Sequence, residues 1–127
     1  MKTLFGTVDA LENAMTFHRE RQTVLAGNVA NVDTPGYRPM DLERIAPGEA
    51  GALPIAQTEA GHLSAGGTAG ATLSFDDSGA SASADGNHVN LERELAKMDA
   101  NRVRYAASSE LVSRRLAMLR YAAGDGQ

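Results

Sequence analysis

The chain has 127 residues and a formal net charge of −4 at pH 7, and it contains three Phe, three Tyr, no Trp and no Cys. Without cysteine it forms no disulfide, thiolate metal site or cysteine nucleophile, and its negative charge argues against general binding to nucleic acid or a membrane surface, which depends on Lys and Arg. So few aromatic residues cannot build a large aromatic core. Apolar contacts must come from Leu, Val, Met and Ala, a supply that suits seams between helices.

The first 30 residues lack the marks of a secretory signal, namely a basic start, a continuous apolar run and a cleavage site of small residues. No stretch approaches the roughly 18 uninterrupted apolar residues of a membrane-spanning helix. We therefore expect a soluble chain that would need a route other than general secretion to work outside the cytoplasm.

The first predicted element is a long helix over residues 3–31. It contains no proline, and its interior glycines, Gly6 and Gly27, lie near its two ends, where helix propensity matters least. Its apolar residues recur at mostly three- and four-residue steps, the spacing of one helical face. These residues are Leu4, Val8, Leu11, Met15, Leu25, Val29 and, just beyond, Val32.

A turn is predicted directly after this helix. Pro35 and Gly36 suit the two central positions of a type II turn, and Thr34 is disfavoured in helical geometry because it precedes proline. The turn-forming residues stand in a row: Asn31, Val32, Asp33, Thr34, Pro35, Gly36 and Tyr37.

Two asparagines near the end of the helix are three residues apart and share one face. Asn31 is explained as a cap for the helix C-terminus. Asparagine is a poor helix former, and a cap made by Asn31 does not explain Asn28. The amide of Asn28 is therefore predicted to make a contact, either with carbonyl groups or with the backbone of another chain.

The middle of the chain, residues 39–84, is predicted to be a flexible, acidic hub. It is rich in Gly, Ala, Ser and Pro, and from residue 40 onward six carboxylates face one arginine, a balance of −5. Low hydrophobicity with like charges predicts loops and mobility in the free chain. Short strands are expected at most near residues 53–55 and 73–75.

The second long helix is predicted to open at Asp85-Gly86-Asn87 and to run without Gly or Pro to Ala123, stopping at Gly124. Alternating steps of four and three define a heptad seam, with Arg102 and Ser109 as polar members. Its apolar members are Leu91, Leu95, Met98, Tyr105, Val112, Leu116 and Leu119.

The predicted fold is mainly α: two long terminal helices pair as a coiled-coil-like stalk, parallel or antiparallel, and a Gly/Ala-rich loop hub joins them. The helical rod domain combines residues 1–38 with residues 85–127, and residues 39–84 form the hub. Two helices bury only one stripe each, so the remaining apolar faces need neighbours from other chains. The predicted assembly seam comprises Leu4, Val8, Leu11, Met15, Leu91, Leu95, Met98, Tyr105, Val112, Leu116 and Leu119.

The titratable residues show no pattern of catalysis or of metal binding. His18, His62 and His88 have no partner at a metal-ligand spacing, and Asp76, Asp77 and His88 are better explained as a solvated acidic loop plus an isolated histidine.

The remaining candidates for chemistry have simpler explanations as well. The glycines within 61–70 lack the Lys of a phosphate-binding loop, and Glu92 and Glu94 do not face each other on a helix. The basic residues of the last helix fit a solvated flank better than RNA or lipid binding. We predict a structural protein and no enzyme, with no cofactor, metal or small-molecule substrate.

Residues 25–38, LAGNVANVDTPGYR, resemble the N-terminal motif of bacterial flagellar rod and hook proteins. Residues 58–63 are similar to a short hub motif, and residues 85–94 to the entry into the C-terminal helix of that family. The chain departs from the family pattern at Gly27 and at residues 38–40. The motif residues are Asn28, Asn31, Asp33, Thr34, Pro35, Gly36 and Tyr37.

This resemblance implies synthesis in the cytoplasm, export by the flagellar type III apparatus without a cleaved signal, and assembly in the periplasm into the basal-body rod, which transmits motor torque. The implied partners are other copies of the chain, other rod proteins, the adaptor between the rod base and the export gate, and the export apparatus. It also implies that the terminal helices become ordered against neighbouring subunits. Helices whose single apolar stripe gives only marginal stability behave in this way when folding is coupled to association. The alternative is a cytoplasmic coiled-coil export chaperone or adaptor that holds a client with the same helices.

Overall fold

The computed structural model describes residues 2–45, 70–76 and 83–124, with side chains from residue 6 onward. At about 1.5 Å per residue, the 29-residue first helix is roughly 43 Å long and the 34-residue second helix roughly 51 Å. The prediction of a mainly α chain with two long helices and little β structure is confirmed. The elements are helix α1 (Lys2–Ala30), strand β1 (Met40–Arg44), strand β2 (Ala71–Phe75) and helix α2 (Leu91–Gly124).

Helices α1 and α2 pack side by side in opposite directions. His18 contacts Asn101, and further along α1 Asn28 contacts Glu94. Residue numbers rise along α1 while they fall along α2, so the two helices form an antiparallel hairpin. Of the two arrangements that the sequence left open, the structure has the antiparallel one.

The end of α1 and the following turn agree with the sequence. The Asn31 side chain donates to the Gly27 carbonyl at 2.8 Å, which satisfies one of the carbonyls left open at a helix C-terminus. Beyond it, the Tyr37 amide donates to the Thr34 carbonyl at 3.2 Å, and Gly36 has a φ of 70°. This is the geometry of a type II turn, in which only glycine adopts the required left-handed conformation without strain.

Helix α2 begins at Leu91, later than the predicted opening, because the glycine-free run that starts directly after Gly86 is not helical in its first residues. The Asn90 side chain accepts a hydrogen bond from the Arg93 amide at 3.0 Å, as an N-cap residue does, and Glu92 and Glu94 place negative charge in the first turn. Asn87 is held in the preceding turn by its own contacts and does not enter the helix.

The two strands pair antiparallel, with Met40 opposite Phe75 and Leu42 opposite Leu73. Strand β2 confirms the strand expected near residues 73–75. Strand β1 corrects the prediction that the hub consists of loop from its start: Asp, Glu and Arg have low strand propensity, and tertiary contacts override it here. The strand expected near residues 53–55 lies outside the described residues, and the division into 1–38, 39–84 and 85–127 stays a prediction.

The interior of the hairpin is unusual in being mostly polar. Among the described side chains, Leu25 and Pro39 are the buried apolar ones. The buried polar residues are Asn28, Asp41, Asn87, Glu94 and Asn101, and each buried polar side-chain atom in the described part of the chain has a hydrogen-bond partner. None of the described helices is long and apolar enough to cross a membrane.

Candidate functional site: a polar junction and an open apolar face

The amide of Asn28 in α1 joins that helix to β1 and α2 at the closed end of the hairpin, where α1 ends and α2 begins. Its Nδ2 donates to the Met40 carbonyl and to Glu94 Oε2, both at 2.7 Å, and its Oδ1 accepts from the Met40 amide at 3.0 Å and the Tyr37 hydroxyl at 3.3 Å. Both donors and both lone pairs are therefore used. The contact predicted for Asn28 exists, and its partners lie within the chain.

A second asparagine, Asn87, clamps the turn that follows α1. Its Nδ2 lies 2.7–3.0 Å from the carbonyl oxygens of Asn31, Val32 and Thr34, and its Oδ1 accepts from the Val89 amide at 2.7 Å. One side chain thus ties the end of α1 to the start of α2. This role was not predicted from the sequence, which placed Asp85-Gly86-Asn87 at the opening of the second helix.

The two turns also touch through their glycines. Gly86 has a φ of 78°, and a Cβ placed on it would lie 3.6 Å from the Gly36 Cα, which is ordinary van der Waals contact. The Gly36 amide donates to the Asp85 carbonyl at 3.1 Å. Residues 34–37 and 85–87 therefore form one closed end, and the motif that resembles rod and hook proteins makes up half of it.

An ionic network links α2 to strand β2. Lys97 donates to Glu94 Oε1 at 2.7 Å and to Asp76 at the end of β2, and Arg93 approaches the same aspartate at 3.4 Å. Burial by itself lowers the pKa of Lys97, but its hydrogen bonds to Asp76 and Glu94 outweigh that effect and raise the pKa above its ordinary value.

A second ion pair holds strand β1 against α1. Arg21 donates from Nε and Nη2 to the two carboxylate oxygens of Asp41, both at 2.7 Å, in the two-pronged geometry that favours arginine. The hydrogen bonds to Asp41 are the main reason that the pKa of Arg21 is raised. Arg44 also stacks over the Phe17 ring, 4.7 Å from its centre.

Asn101 makes a further polar contact between α1 and α2, in addition to that of Asn28 with Glu94. Its Nδ2 donates to the His18 carbonyl at 2.7 Å and to Gln22 Oε1 at 2.9 Å, and its Oδ1 lies 2.8 Å from His18 Nδ1. Because an amide oxygen only accepts, Nδ1 is the protonated ring nitrogen.

The position of Asn101 revises the predicted heptad seam. Arg102, predicted as a polar member of that seam, is exposed, whereas Asn101 faces α1 and is buried. The line of α2 that meets α1 runs through Glu94 and Asn101, and only part of the predicted seam follows it. Polar residues seven apart, Glu94 and Asn101, were the signal that could have located this line.

The structure leaves much of the predicted assembly seam uncovered. Val8, Leu11, Met15, Met98, Val112 and Leu119 are half-buried in the hairpin. The exposed members are Leu91, Leu95, Tyr105 and Leu116, at 38–51% exposure. The side chain of Leu4 lies outside the described residues.

No group of three or more His, Asp or Glu that could hold a metal ion occurs among residues 2–45, 70–76 and 83–124. Asp76, one of the acidic residues considered as ligands, pairs with Lys97 and Arg93, and His18 uses Nδ1 for Asn101. His62 and Asp77 lie outside the described part of the chain.

A hydrogen-bonded closed end with apolar helix faces left open defines a helical structural subunit built to pack with others. In agreement, a family model described as "Flagella basal body rod protein" matches residues 9–38, which contain the end of α1 and the turn.

Curated relatives extend this similarity over most of the chain. The flagellar basal body rod protein FlgB of Cereibacter sphaeroides is 32% identical over 108 residues, which are 84% of each chain. FlgB of Bacillus subtilis (strain 168) is 27% identical over 112 residues, 87% of each chain, and FlgB of Salmonella typhimurium is 28% identical over 119 residues, 77% of this chain and 83% of the relative. The chain belongs to the FlgB family of flagellar basal body rod proteins, and its role is that of a structural protein of the flagellar rod.

Proposed function

We propose that the chain is a subunit of the proximal rod that is exported by the flagellar type III apparatus, assembles in the periplasm through its terminal helices, and transmits motor torque. Its family and its structure support this proposal together. The structural role in the rod follows from the family, and the uncovered helix faces supply a physical means of assembly. The work is mechanical, and we propose no catalysis.

The observation that carries this proposal is the imbalance between covered and uncovered apolar surface. Leu25 is fully buried, whereas large side chains of α2, including Leu95, Leu111, Leu116 and Met118, are 45–64% exposed. Burying one leucine stabilises a fold by about 1.5–3 kcal/mol, against the roughly 5–15 kcal/mol of a typical domain. The lone hairpin is therefore marginal, and packing against neighbours completes it.

The proposed partners follow from this surface and from the family. Other copies of the chain and other rod proteins would cover the apolar faces, and the adaptor between the rod base and the export gate would hold the first subunits. The export apparatus would be a transient partner. Nucleic acid and small molecules are not among the proposed ligands, in keeping with the negative net charge.

Charge placed on the uncovered seam tests the proposal. We expect Leu95→Asp and Leu116→Asp each to abolish swimming and recovery of the chain in purified basal bodies, because each puts a carboxylate into an apolar interface. Leu95→Met and Leu116→Met keep volume and hydrophobicity and should swim normally. Since both leucines are already 45–51% exposed, the aspartates should leave synthesis and helix content unchanged. Normal swimming of both aspartate variants would contradict the proposal.

Fractionation of the same strains separates a rod subunit from an export chaperone. A rod subunit should be recovered from purified basal bodies, whereas a chaperone stays in the cytosol. Recovery of the unaltered chain from the cytosol alone would favour the chaperone.

A further inference from the structure

Helix α2 carries a second apolar stripe that the predicted seam does not include. Its members follow one another at steps of four and three residues except between Leu111 and Met118, where Arg114 occupies the same face and pairs with Glu110. The exposed large members are Val103 at 68%, Leu111 at 51%, Met118 at 64% and Tyr121 at 71%. We call this stripe the ridge, and its members are Ala96, Ala100, Val103, Ala107, Leu111, Met118 and Tyr121.

On the other side of the hairpin, α1 and α2 flank an open groove of about 500 Å³, and six of its eight lining residues are polar or charged, Arg19 of α1 among them. Thr23 and Ala26 form its α1 wall, and Arg102 and Tyr105 its α2 wall. At about 100° per residue, the ridge lies roughly 160° around α2 from this wall. The ridge and the groove therefore face in nearly opposite directions.

We propose that the ridge of one copy of this chain docks in the groove of the next copy, with both hairpins pointing the same way. This inference deepens the proposed function, because it names the surfaces through which copies would assemble. A contact between two different faces on opposite sides of a subunit repeats from copy to copy, and so builds a ring or a helical filament rather than a closed pair.

The charges along the ridge favour a second copy as the occupant of the groove. One edge of the ridge is acidic, with Glu92 and Asp99, while Glu110 further along this edge is paired with Arg114 of the same helix. In the docked arrangement this edge faces the α2 wall of the partner's groove, the side of the helix that holds Arg102 and Arg120. Opposite charges thus meet along one border of the contact.

The second border sets the direction of the two hairpins. The other edge of the ridge is basic, with Arg104 and Arg115, and it faces α1 of the partner, where the exposed Asp9 and Glu12 outnumber Arg19. Reversing one hairpin would bring basic against basic and acidic against acidic residues, which opposes binding. The charges therefore select hairpins that point the same way.

Two charge reversals test this arrangement in the full chain. Asp99→Arg makes the acidic edge basic, and Arg102→Asp makes the groove wall acidic, so each variant alone meets itself with like charges. In an equimolar mixture, each variant's ridge meets the other's groove with opposite charges. We expect each single variant to lower the association constant by about tenfold or more, and the mixture to recover to within about twofold of the unaltered chain.

The measurement is sedimentation velocity over rising concentrations, with circular dichroism confirming equal helix content. Asp33→Arg is the matched control, because it makes the same substitution as Asp99→Arg at an exposed residue of the turn after α1, away from ridge and groove, and should associate normally. Mixing cannot repair a folding defect within one chain, so recovery in the mixture identifies complementary surfaces. An unaltered chain that stays monomeric, single variants that associate normally, or a mixture no better than its components would each overturn the proposal.

Because the chain has no cysteine, crosslinking gives a second readout. Val103→Cys with Arg19→Cys in one chain should give a ladder of multimers on oxidation, because Arg19 of the groove adjoins His18, which contacts Asn101 and is therefore nearly level with Val103. Val103→Cys alone giving abundant dimers would overturn the proposal, since that result requires ridge against ridge. If the unaltered chain is recovered in basal bodies but the two charge variants do not restore each other's association, the proposed function stands and the proposed contact between ridge and groove is wrong.

Discussion

At the scale of single residues, the amide of Asn28 makes four hydrogen bonds in the closed end, as many as that of Asn87. It is fully buried and satisfies both the carbonyl and the amide of Met40 as well as one oxygen of Glu94. Aspartate could not donate to these acceptors and would place a second carboxylate beside Glu94. The need for an amide of this length explains why asparagine occurs inside the last turn of a helix, where its propensity is poor.

Replacing this amide should cost much more than replacing an exposed one. Asn28→Ala leaves the Met40 backbone groups and a carboxylate oxygen of Glu94 without partners, so we expect a loss of about 2–4 kcal/mol in the free energy of unfolding. Asn13→Ala, on the exposed part of the same helix, should change it by less than about 0.5 kcal/mol. Urea unfolding followed by circular dichroism measures both, and equal losses would contradict the role given to Asn28.

At the scale of elements, the two-stranded sheet depends on the helices for its position. An isolated pair of short strands is marginal in water. Here Arg21 fixes β1 to α1 through Asp41, and Lys97 fixes β2 to α2 through Asp76. Each strand is thus tied to a different helix, and the sheet bridges the hairpin on the side away from the groove.

The tie between β2 and α2 should fail at alkaline pH. The pKa of Lys97 is higher in the folded chain than in the unfolded one, so its stabilisation is fully present below the unfolded pKa of about 10.4 and is lost as pH rises through the folded pKa. We expect the melting temperature to fall between pH 10 and pH 12, and to fall less in Lys97→Met, which lacks the titrating group. Parallel declines in the two proteins would rule out this contribution.

At the scale of the whole molecule, the buried residues are unevenly distributed along the hairpin. Beyond Asn101, no described side chain of α2 is buried, and the same is true of α1 between residues 6 and 24. The closed end is held by hydrogen bonds and ion pairs, and the described part of the open end mainly by half-buried apolar contacts. Local opening should therefore begin at the open end.

Amide hydrogen exchange of the free chain measures this difference directly. Amides of residues 25–31 and 94–101 should exchange at least about tenfold more slowly than those of residues 106–120, because local stability follows buried contacts. Addition of purified basal-body components that bind the chain should slow exchange at the open end most. Uniform protection along both helices in the monomer would mean that the hairpin is complete without neighbours.

The sequence predicted the helices well, because long apolar periodicity and clear stop signals such as Pro35 and Gly124 are local features. It missed strand β1, whose residues favour no strand and are placed by Asn28 and Arg21. The direction of the hairpin was equally out of reach, since it depends on pairing across a long separation in sequence, whereas the seven-residue spacing of Glu94 and Asn101 was a signal of their burial that was not used. The assembly seam stays a prediction: its residues were named from spacing, and neighbouring chains decide which faces they cover.

The antiparallel hairpin also decides where reporters can be attached. The first residues of α1 and the last residues of α2 emerge at the same pole, next to Met118 and Tyr121. A fluorescent protein fused before α1 or after α2 would therefore lie beside the same neighbours. Moving the fusion from one helix end to the other would not reduce this steric conflict. Labels placed at the opposite pole, on the exposed Asp33 for example, would not contact those neighbours.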